Sequence, residues 1–344
     1  MSAMTDADRA SDIFGIGTFD AGAGVFPAVV VGDEAADLRP LLPHVARTGD
    51  LLAEWDTNLD AIAAAIDGGD EAGERLLEWR SIRDLHALPP MQPVGPILAA
   101  GANYREHILQ MSVAHRLGRE DATEQELWDE AAIENDQRRR SGDPYIWTGL
   151  PSAVCGAFDD VQLPDYGDDL DWEVELGVVI GRSCHRIAAD EVHEVVAGYT
   201  IVNDLTARTL VPRPDMALIG TDWFRAKNQP TFFPTGPVIV PARFVPDPTA
   251  LRIRLLLNGE VKQDSLTDDL LFDIPSLIAY ASSVARLQPG DLLITGSPAG
   301  NGSHWGRFLQ EGDVMEATIT GLGTQRNRVL AARGEQPPWQ ASRA

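Results

Sequence analysis

Asp171-Trp-Glu-Val-Glu-Leu-Gly-Val-Val-Ile-Gly181 has the alternating pattern of a β-strand. The even positions are aliphatic and predict a face buried in the core: Val174, Leu176, Val178 and Ile180. The opposite face carries Glu173 and Glu175, one pleat apart and pointing the same way. The stretch therefore predicts a core strand with two carboxylates on one face.

Two carboxylates held this close on a strand suited to burial need a cation or a shared proton. An edge strand with solvated glutamates fits the same pattern, because exposed Glu is common in half-buried strands. A third acid, Asp204, ends the short apolar run Tyr199–Asn203. If the two strands are neighbours, Glu173, Glu175 and Asp204 converge into an all-oxygen site. Such a site favours Mg²⁺ or Mn²⁺, with Ca²⁺ as a further candidate, over zinc.

Several longer motifs occur in the same order along this chain as in a known protein family. The three main ones are Asp171–Gly181, Gly198-Tyr-Thr-Ile-Val-Asn-Asp-Leu-Thr-Ala-Arg208 and Gly290-Asp-Leu-Leu-Ile-Thr-Gly-Ser-Pro-Ala-Gly300. Two supporting ones are Gly101-Ala-Asn-Tyr-Arg-Glu-His107 and Gly321-Leu-Gly-Thr-Gln-Arg-Asn-Arg-Val329. Over residues 91–330 the chain resembles the fumarylacetoacetate hydrolase family, in its acylpyruvase and 2-hydroxyhepta-2,4-diene-1,7-dioate isomerase-like branch. The resemblance implies a mixed α+β, β-rich fold with a rolled mixed β-sheet around a metal–carboxylate site. It also implies a homodimer and a small keto acid as the substrate.

The same resemblance implies that His107 is the general base, which activates a water in the hydrolytic members. Close relatives carry a Glu three residues after this His, but this chain has Gln110. A neutral amide orients an imidazole but stabilises an imidazolium less well than a carboxylate does. An acid from elsewhere could replace it, and the candidates lie in a charged segment nearby: Glu120, Glu124, Glu126 and Glu130.

Further site residues are implied by the resemblance alone. Lys227 is expected to hold a water, a substrate oxygen or a ligand carboxylate. Arg208 is a candidate for binding the substrate carboxylate through its two-pronged guanidinium. Ser297 and Tyr104 are expected to contact the substrate. The substrate-facing motifs depart from the family at several positions, so the metal site is expected to persist while the substrate has changed: Gln110, Gly149, Val211, Gln229 and Pro230.

Composition limits the partners. The 344-residue chain has a net charge of −24, which repels nucleic acid and anionic membranes but does not exclude an anionic substrate. It contains no apolar run of membrane-spanning length and no basic-then-apolar signal at its N-terminus, so a cytoplasmic protein is expected. Cys155 and Cys184 have no metal-ligand spacing.

The chain is predicted to contain a small N-terminal α+β domain (1–90), a catalytic domain (91–330) and a tail (331–344). The proline-rich piece Leu88–Pro96 marks the boundary. Local patterns predict the following elements: strands within 13–45, helices near 50–67, 71–83 and 273–284, a helix 123–140 inside an insert of about 118–143, and a hairpin turning at Asn258-Gly259.

Three functions fit these residues. The first is a metal-dependent hydrolase that cleaves a C–C bond in a β-diketone or acylpyruvate-type keto acid. The second is a lyase or isomerase on the same site, such as a keto-acid decarboxylase, a 2-hydroxydienoate hydratase or a tautomerase, which Gln110 favours. The third is a non-catalytic member that binds a keto acid.

Overall fold

The computed structural model describes residues 13–22, 24–68, 73, 75–165, 167 and 169–334. Most of the predicted tail, residues 335–344, lies outside this range. No helix in the described parts of the chain is long and apolar enough to cross a lipid bilayer.

Strands dominate the described chain. In order they are β1 (Gly15–Asp20), β2 (Val25–Val31), β3 (Glu34–Asp37), β4 (Trp79–Ser81), β5 (His86–Leu88), β6 (Ile97–Gly101), β7 (Tyr145–Gly149), β8 (Val154–Gly156), β9 (Val161–Gln162), β10 (Leu170–Asp171), β11 (Val174–Ile180), β12 (Val196–Asn203), β13 (Thr206–Ala207), β14 (Phe233–Thr235), β15 (Val240–Pro241), β16 (Arg252–Leu257), β17 (Glu260–Leu266), β18 (Leu292–Ile294), β19 (Val314–Ile319) and β20 (Gly323–Leu330).

Helices connect and cover these strands. The α-helices of the described residues are α1 (Trp55–Ile66), α2 (Arg105–Ala114), α3 (Glu124–Ser141), α4 (Trp223–Lys227), α5 (Ile274–Val284) and α6 (Gly302–Trp305). Short 3₁₀ helices span Thr48–Glu54, Ile82–Asp84, Pro151–Ala153, Ala189–Glu194, Arg208–Leu210, Pro214–Met216 and Ala242–Phe244.

The N-terminal strands form an antiparallel sheet in the order β4-β3-β2-β1-β5. The predicted strands within 13–45 are confirmed, and the helix near 50–67 is present as a 3₁₀ turn followed by α1. The prediction of a helix near 71–83 is wrong at its C-terminal end, because Trp79–Ser81 pairs with β3. Residues 69–72 and 74 lie outside the described chain. Pairing with a neighbouring strand overrode the local helical pattern here.

The central sheet explains the strand quoted first. It is mixed, in the order β7-β6-β18-β11-β12-β14-β8, with β15 also paired to β12. Because β11 lies between β18 and β12, it is not an edge strand, and the interpretation with solvated glutamates is wrong. The predicted aliphatic face of β11 packs in one hydrophobic core, while Val179 on the other face packs in a second core. β11 therefore separates two cores.

A third sheet packs against this one. Its order is β17-β16-β19-β20-β9, and β16, β19 and β20 contact β11 and β12 across the core. The predicted hairpin is confirmed: β16 and β17 are joined by Asn258 and Gly259, with φ angles of 54° and 84°. Two consecutive positive φ angles are the signature of a type I′ turn.

Two predicted helices have the expected caps. The Thr123 side chain accepts a hydrogen bond from the Glu126 N–H, and Glu126 bonds back to the Thr123 N–H, which completes the capping box of α3. The helix predicted at 123–140 is therefore confirmed as Glu124–Ser141. Asp273 caps α5 by accepting a hydrogen bond from the Ser276 N–H at 2.9 Å.

We expect Asp273→Ala to lower the free energy of unfolding by about 1 kcal/mol, because the substitution removes this cap from a helix packed in the core. Asp273→Asn is the matched control, since Asn caps helices about as well as Asp. Urea denaturation followed by circular dichroism measures both. Equal losses for Ala and Asn would show that the cap contributes nothing.

Candidate metal centre and active site

The antiparallel pairing of β11 and β12 creates the acidic cluster. Val174 pairs with Asn203, so Glu173 before β11 and Asp204 after β12 lie side by side, and the Asp204 N–H donates to the Glu173 carbonyl at 2.8 Å. Glu175 points to the same side, one pleat along. One oxygen from each of the three carboxylates lies within 4.8 Å of the others, and all three residues are buried. The predicted convergence of these carboxylates is what the structure shows.

Lys227 joins two members of this cluster. Its ammonium Nζ donates to Glu173 Oε2 and Asp204 Oδ2, both at 2.6 Å, and to the Asp204 carbonyl at 3.2 Å. Only 2% of the lysine is exposed, and it reaches this position from the C-terminal end of α4. Lys227 therefore contacts two carboxylates of the cluster, and its predicted role at the site stays a prediction.

Arg208 is bonded to carboxylates as well. Its Nε donates to Asp171 Oδ2 at 2.8 Å, and its Nη2 donates to Glu173 Oε1 at 2.5 Å. Arg208 also lines the cavity described below. Binding of a substrate carboxylate by Arg208 therefore stays a prediction, and its observed contacts orient Glu173.

The balance of charge differs among the acids. Burial raises the pKa of Glu173, but Arg208 and Lys227 outweigh it and hold that pKa below its ordinary value. Burial, together with the charges of Asp204 and Glu173, raises the pKa of Glu175 well above its ordinary value. Burial also raises the pKa of Asp204 to about 7, against the opposing effect of Lys227. Negative charge is therefore under-compensated around Glu175 and Asp204.

These residues fit a hard divalent cation. With Asp171, four carboxylates face the two cationic side chains Lys227 and Arg208, and Asp204 Oδ1 is a buried oxygen without a hydrogen-bond partner. The donor atoms available are carboxylate oxygens, which Mg²⁺, Mn²⁺ and Ca²⁺ prefer. A cation at this point would offset the surplus negative charge.

His107 lies beside the acids, on the first turn of α2. Its Nε2 is 4.0 Å from Glu173 Oε1, and its Nδ1 is buried without a hydrogen-bond partner. Burial lowers the pKa of His107 to about 4, although Glu173 acts in the opposite direction. The imidazole is therefore neutral near pH 7, and its burial makes it a weaker base than a free imidazole.

Gln110 does not orient His107. Its Oε1 accepts a hydrogen bond from the Gly300 N–H at 2.9 Å, so the amide holds the turn before α6 instead. The four candidate acids of the insert do not hydrogen-bond His107 either. Glu126 caps α3, and Glu130 accepts from Arg119 at 2.9 Å. Within the described chain, the carboxylate nearest His107 is that of Glu173 itself.

The acids and His107 share one cavity of about 270 Å³. Its polar side is formed by His107, Ser112, Glu173, Glu175, Asp204, Arg208, Lys227 and Ser297. Its apolar side is formed by Ala100, Gly101, Ala102, Ile108, Met111, Leu117, Trp147 and Trp223. A larger cavity of about 550 Å³ elsewhere contains none of these side chains. The smaller cavity is therefore the candidate active site.

The insert contributes to this cavity indirectly. Leu117, just before the insert, lines the cavity. The insert's helix α3 packs against α2 and does not line the cavity. Arg105 on α2 donates to Asp136 on α3 at 3.2 Å, and Arg138 donates to the Ala102 carbonyl at 2.5 Å. The helix of the insert thus supports the helix that carries His107.

The two remaining predicted site residues, Ser297 and Tyr104, differ in their position relative to the cavity. Ser297 lines the cavity, and its hydroxyl accepts a hydrogen bond from Gln263 Nε2 at 2.9 Å. Tyr104 is fully buried and does not line the cavity; burial and the charge of Glu175 raise the pKa of its phenol. A substrate contact by Tyr104 stays a prediction, as it does for Ser297.

Sequence reasoning missed four residues at the site. Asp171, at the start of the first motif, accepts from Arg208 and from the Gly302 and Ser303 N–H groups. Gln263 bonds both the Val174 N–H and Ser297, which joins β11 to the turn after β18. Trp147 and Trp223 form part of the apolar wall. The first position of the motif was a usable signal for Asp171, whereas the other three are brought in by pairing and packing.

Comparisons with known proteins agree with this geometry. The model of the fumarylacetoacetate (FAA) hydrolase C-terminal family matches residues 96–330. A 2,4-didehydro-3-deoxy-L-rhamnonate hydrolase of a Sphingomonas species is 34% identical over 279 residues, which is 80% of this chain and 85% of that protein. An oxaloacetate tautomerase of Bacillus subtilis is 34% identical over 281 residues, which is 81% of this chain and 80% of that protein.

Solved structures show the same fold. The crystal structure of maleylpyruvate hydrolase from a Sphingobium species, in complex with manganese(II) and pyruvate, is 28% identical with a TM-score of 0.70. The alignment covers 93% of this chain and 100% of that one. The prediction of a mixed α+β fold built on a rolled mixed sheet is confirmed. The chain is therefore an enzyme that belongs to the fumarylacetoacetate hydrolase family.

Proposed function

We propose that the enzyme is a divalent-cation-dependent hydrolase that cleaves the C–C bond of an acylpyruvate, a 2,4-dioxo acid. The observation that carries this proposal is the placement of three buried carboxylates and the buried His107 imidazole on one cavity. The rhamnonate hydrolase and maleylpyruvate hydrolase relatives, whose names give the reaction type, support it.

Glu173, Glu175 and Asp204 would hold the cation, with Mg²⁺ or Mn²⁺ preferred and Ca²⁺ as a third candidate. When bound, it would polarise the substrate's oxo groups and stabilise the enolate that forms as the bond breaks. Lys227 and Arg208 keep Glu173 ionised and in place through the hydrogen bonds described above.

His107 would take a proton from a water molecule, whose oxygen attacks the acyl carbonyl carbon. The bond between that carbon and the adjacent methylene breaks, and its electron pair goes to the methylene carbon. The products are a carboxylic acid and the enolate of pyruvate, which takes up a proton. Burial keeps the imidazole of His107 neutral, as the first step requires, while the lowered pKa makes it a weaker base than a free imidazole.

The distribution of charge in the cavity favours one class of substrate. Among the described residues lining it, the permanently cationic side chains are Arg208 and Lys227, and both are bonded to carboxylates. Half of the lining residues are apolar or glycine. A second substrate carboxylate packed against them would lack a cationic partner, which is costly for a group removed from water. We therefore expect a substrate with a single carboxylate and an uncharged acyl group.

A keto–enol tautomerase is the second candidate. The observation that favours it is the unpartnered Nδ1 of His107, with Gln110 turned to Gly300. Without an acid on Nδ1, the imidazolium formed by water activation lacks the support that a carboxylate provides. Moving one proton between carbon and oxygen of an enolisable keto acid makes a smaller demand on the base. The B. subtilis relative is named as a tautomerase. A keto-acid decarboxylase or a hydratase belongs to the same alternative. Homodimerisation and the domain division at residue 90 also stay predictions.

The metal site is tested by Glu175→Gln. This isosteric change removes one carboxylate but keeps an oxygen to accept from the Gly296 N–H, which now bonds Glu175 Oε2 at 2.7 Å. We expect Mn²⁺ affinity to fall by more than about 100-fold, since even groups one step removed from a metal contribute about 10–100-fold. Titration followed by electron paramagnetic resonance measures free Mn²⁺. The exposed Glu194→Gln is the control. Unchanged affinity in Glu175→Gln would place the metal elsewhere.

The role of His107 is tested by His107→Ala. We expect turnover to fall by about 10²–10⁴-fold, the usual contribution of a general base, while Mn²⁺ affinity is retained. His304→Ala removes an exposed histidine outside the cavity and serves as the control. Steady-state kinetics and the same Mn²⁺ titration give the two measurements. Turnover that survives His107→Ala would exclude His107 as the base.

The reaction type is tested by proton NMR of the enzyme with Mg²⁺ and separate samples of acetylpyruvate and oxaloacetate. We expect acetylpyruvate to give pyruvate and acetate in equal amounts, with oxaloacetate left uncleaved. Faster interconversion of the keto and enol forms of oxaloacetate, without any cleavage of acetylpyruvate, would establish the tautomerase instead.

A further inference from the structure

We propose that Trp147 and Trp223 form an aryl-binding wall, so that the preferred acyl group is an aromatic ring and the substrate class is an aroylpyruvate. This inference rests on the proposed hydrolysis of acylpyruvates and specifies the uncharged acyl group. Both tryptophans line the candidate active site.

The two indoles stack with nearly parallel planes. Trp147 lies on β7 and Trp223 begins α4; their ring centroids are 6.1 Å apart and their planes differ by 19°. Both side chains are only partly buried, so they leave ring surface open to the cavity. Tyr145, 45% exposed, continues the row with its centroid 6.5 Å from Trp223. The wall therefore runs from the cavity towards the protein surface.

The wall begins where the reacting end of the substrate would lie. The Lys227 ammonium is 5.4 Å from the centroid of the Trp147 ring, within the range of a cation–π contact, and it is bonded to the acids. Trp223 and Lys227 are four residues apart on α4, which places both on the same face of that helix. A substrate with its dioxo acid end at the carboxylates would thus have its acyl group beside the two indoles.

Three further apolar side chains line the cavity. Ile108 and Met111 of α2 line it, and Leu117, 60% exposed, lies at its edge. A methionine sulfur makes favourable contacts with aromatic rings. None of these three side chains is charged.

Flatness distinguishes an aryl from an alkyl acyl group. The enol form of an aroylpyruvate is conjugated through to its ring, so the molecule is planar and its aryl group can pack against the indole surface that lines the cavity. Aromatic contacts of this kind contribute beyond the area they bury, whereas an alkyl chain gains the area term alone and loses rotational freedom. A cavity of about 270 Å³ is close to the ~300 Å³ lower limit for drug-sized ligands and suits a single ring.

The experiment compares kcat/KM for benzoylpyruvate, for heptanoylpyruvate, whose acyl group has as many carbons, and for acetylpyruvate. For the wild-type enzyme we expect benzoylpyruvate to exceed both others by about tenfold. Trp223→Leu keeps apolar bulk but removes the ring, and should reduce the benzoyl-to-heptanoyl ratio to about one. Trp223→Phe should restore most of the preference.

Phe224→Leu is the matched control. Phe224 is the adjacent aromatic residue on α4, is 69% exposed and does not line the cavity, so its substitution should leave the ratio unchanged. Equal kcat/KM for benzoylpyruvate and heptanoylpyruvate in the wild-type enzyme would overturn the aryl preference. An equal reduction for all three substrates in Trp223→Leu would also overturn it, since that result means a structural role.

A binding measurement separates this proposal from the proposed reaction. Isothermal titration calorimetry with Mg²⁺ compares the dissociation constants of phenylpyruvate and pyruvate, neither of which offers the 2,4-dioxo bond. We expect phenylpyruvate to bind about tenfold more tightly to the wild-type enzyme and the difference to vanish in Trp223→Leu. If no acylpyruvate is cleaved, hydrolysis is wrong but this ratio still tests the wall. Equal affinities would reject the wall whatever the reaction.

Discussion

The buried ion-pair network around Glu173 is the constraint on which the active site depends. Glu173 accepts from Lys227 on one oxygen and from Arg208 on the other, and Lys227 extends the network to Asp204. Burial of charge is costly unless each group finds partners, and removal of one partner from a buried pair typically costs about 3–5 kcal/mol. The elements that carry these side chains, β11, β12 and α4, are therefore held in one arrangement by electrostatics as well as by apolar packing.

The network compensates the negative charge of the acids unevenly. Glu173 has cationic partners for both oxygens, whereas Glu175 has a single backbone N–H from Gly296 and Asp204 keeps one oxygen without a partner. The two cations thus support the cluster without neutralising it. The acids therefore differ in their roles. Glu173 is anchored to the protein, while the surplus negative charge that would attract a divalent cation lies at Glu175 and Asp204.

Loops beyond the strands are tied to the same network. Asp171 connects Arg208 to the N–H groups that begin α6, and Gln110 on α2 holds Gly300 just before them. Gln263 links β11 to Ser297 from the hairpin of the third sheet. Gln110, which seemed from the sequence to weaken the environment of His107, thus has a structural role in positioning this turn. His107 in turn depends on burial, rather than on a hydrogen-bond partner, for its neutral state.

The sequence by itself determined the features that depend on neighbours along the chain. Alternation predicted the core strand at Val174–Ile180, Asn258-Gly259 predicted the hairpin, and Thr123 and Asp273 predicted two helix starts, because pleating, turn geometry and capping are local. The family resemblance named the acids and Lys227, and the structure brings these side chains together. Local pattern failed at Trp79–Ser81, where pairing with β3 decided the conformation.

Only the tertiary structure decided the partners of the charged and aromatic groups. Arg208 lies on Asp171 and Glu173, Gln110 turns to Gly300, and Trp147 meets Trp223 from a distant part of the chain. Side-chain pairing across separate elements depends on distances and burial that residue spacing does not encode. The packing of whole sheets decides which charged side chains are buried close to one another. The electrostatics of the site therefore follow from the fold and not from any single motif.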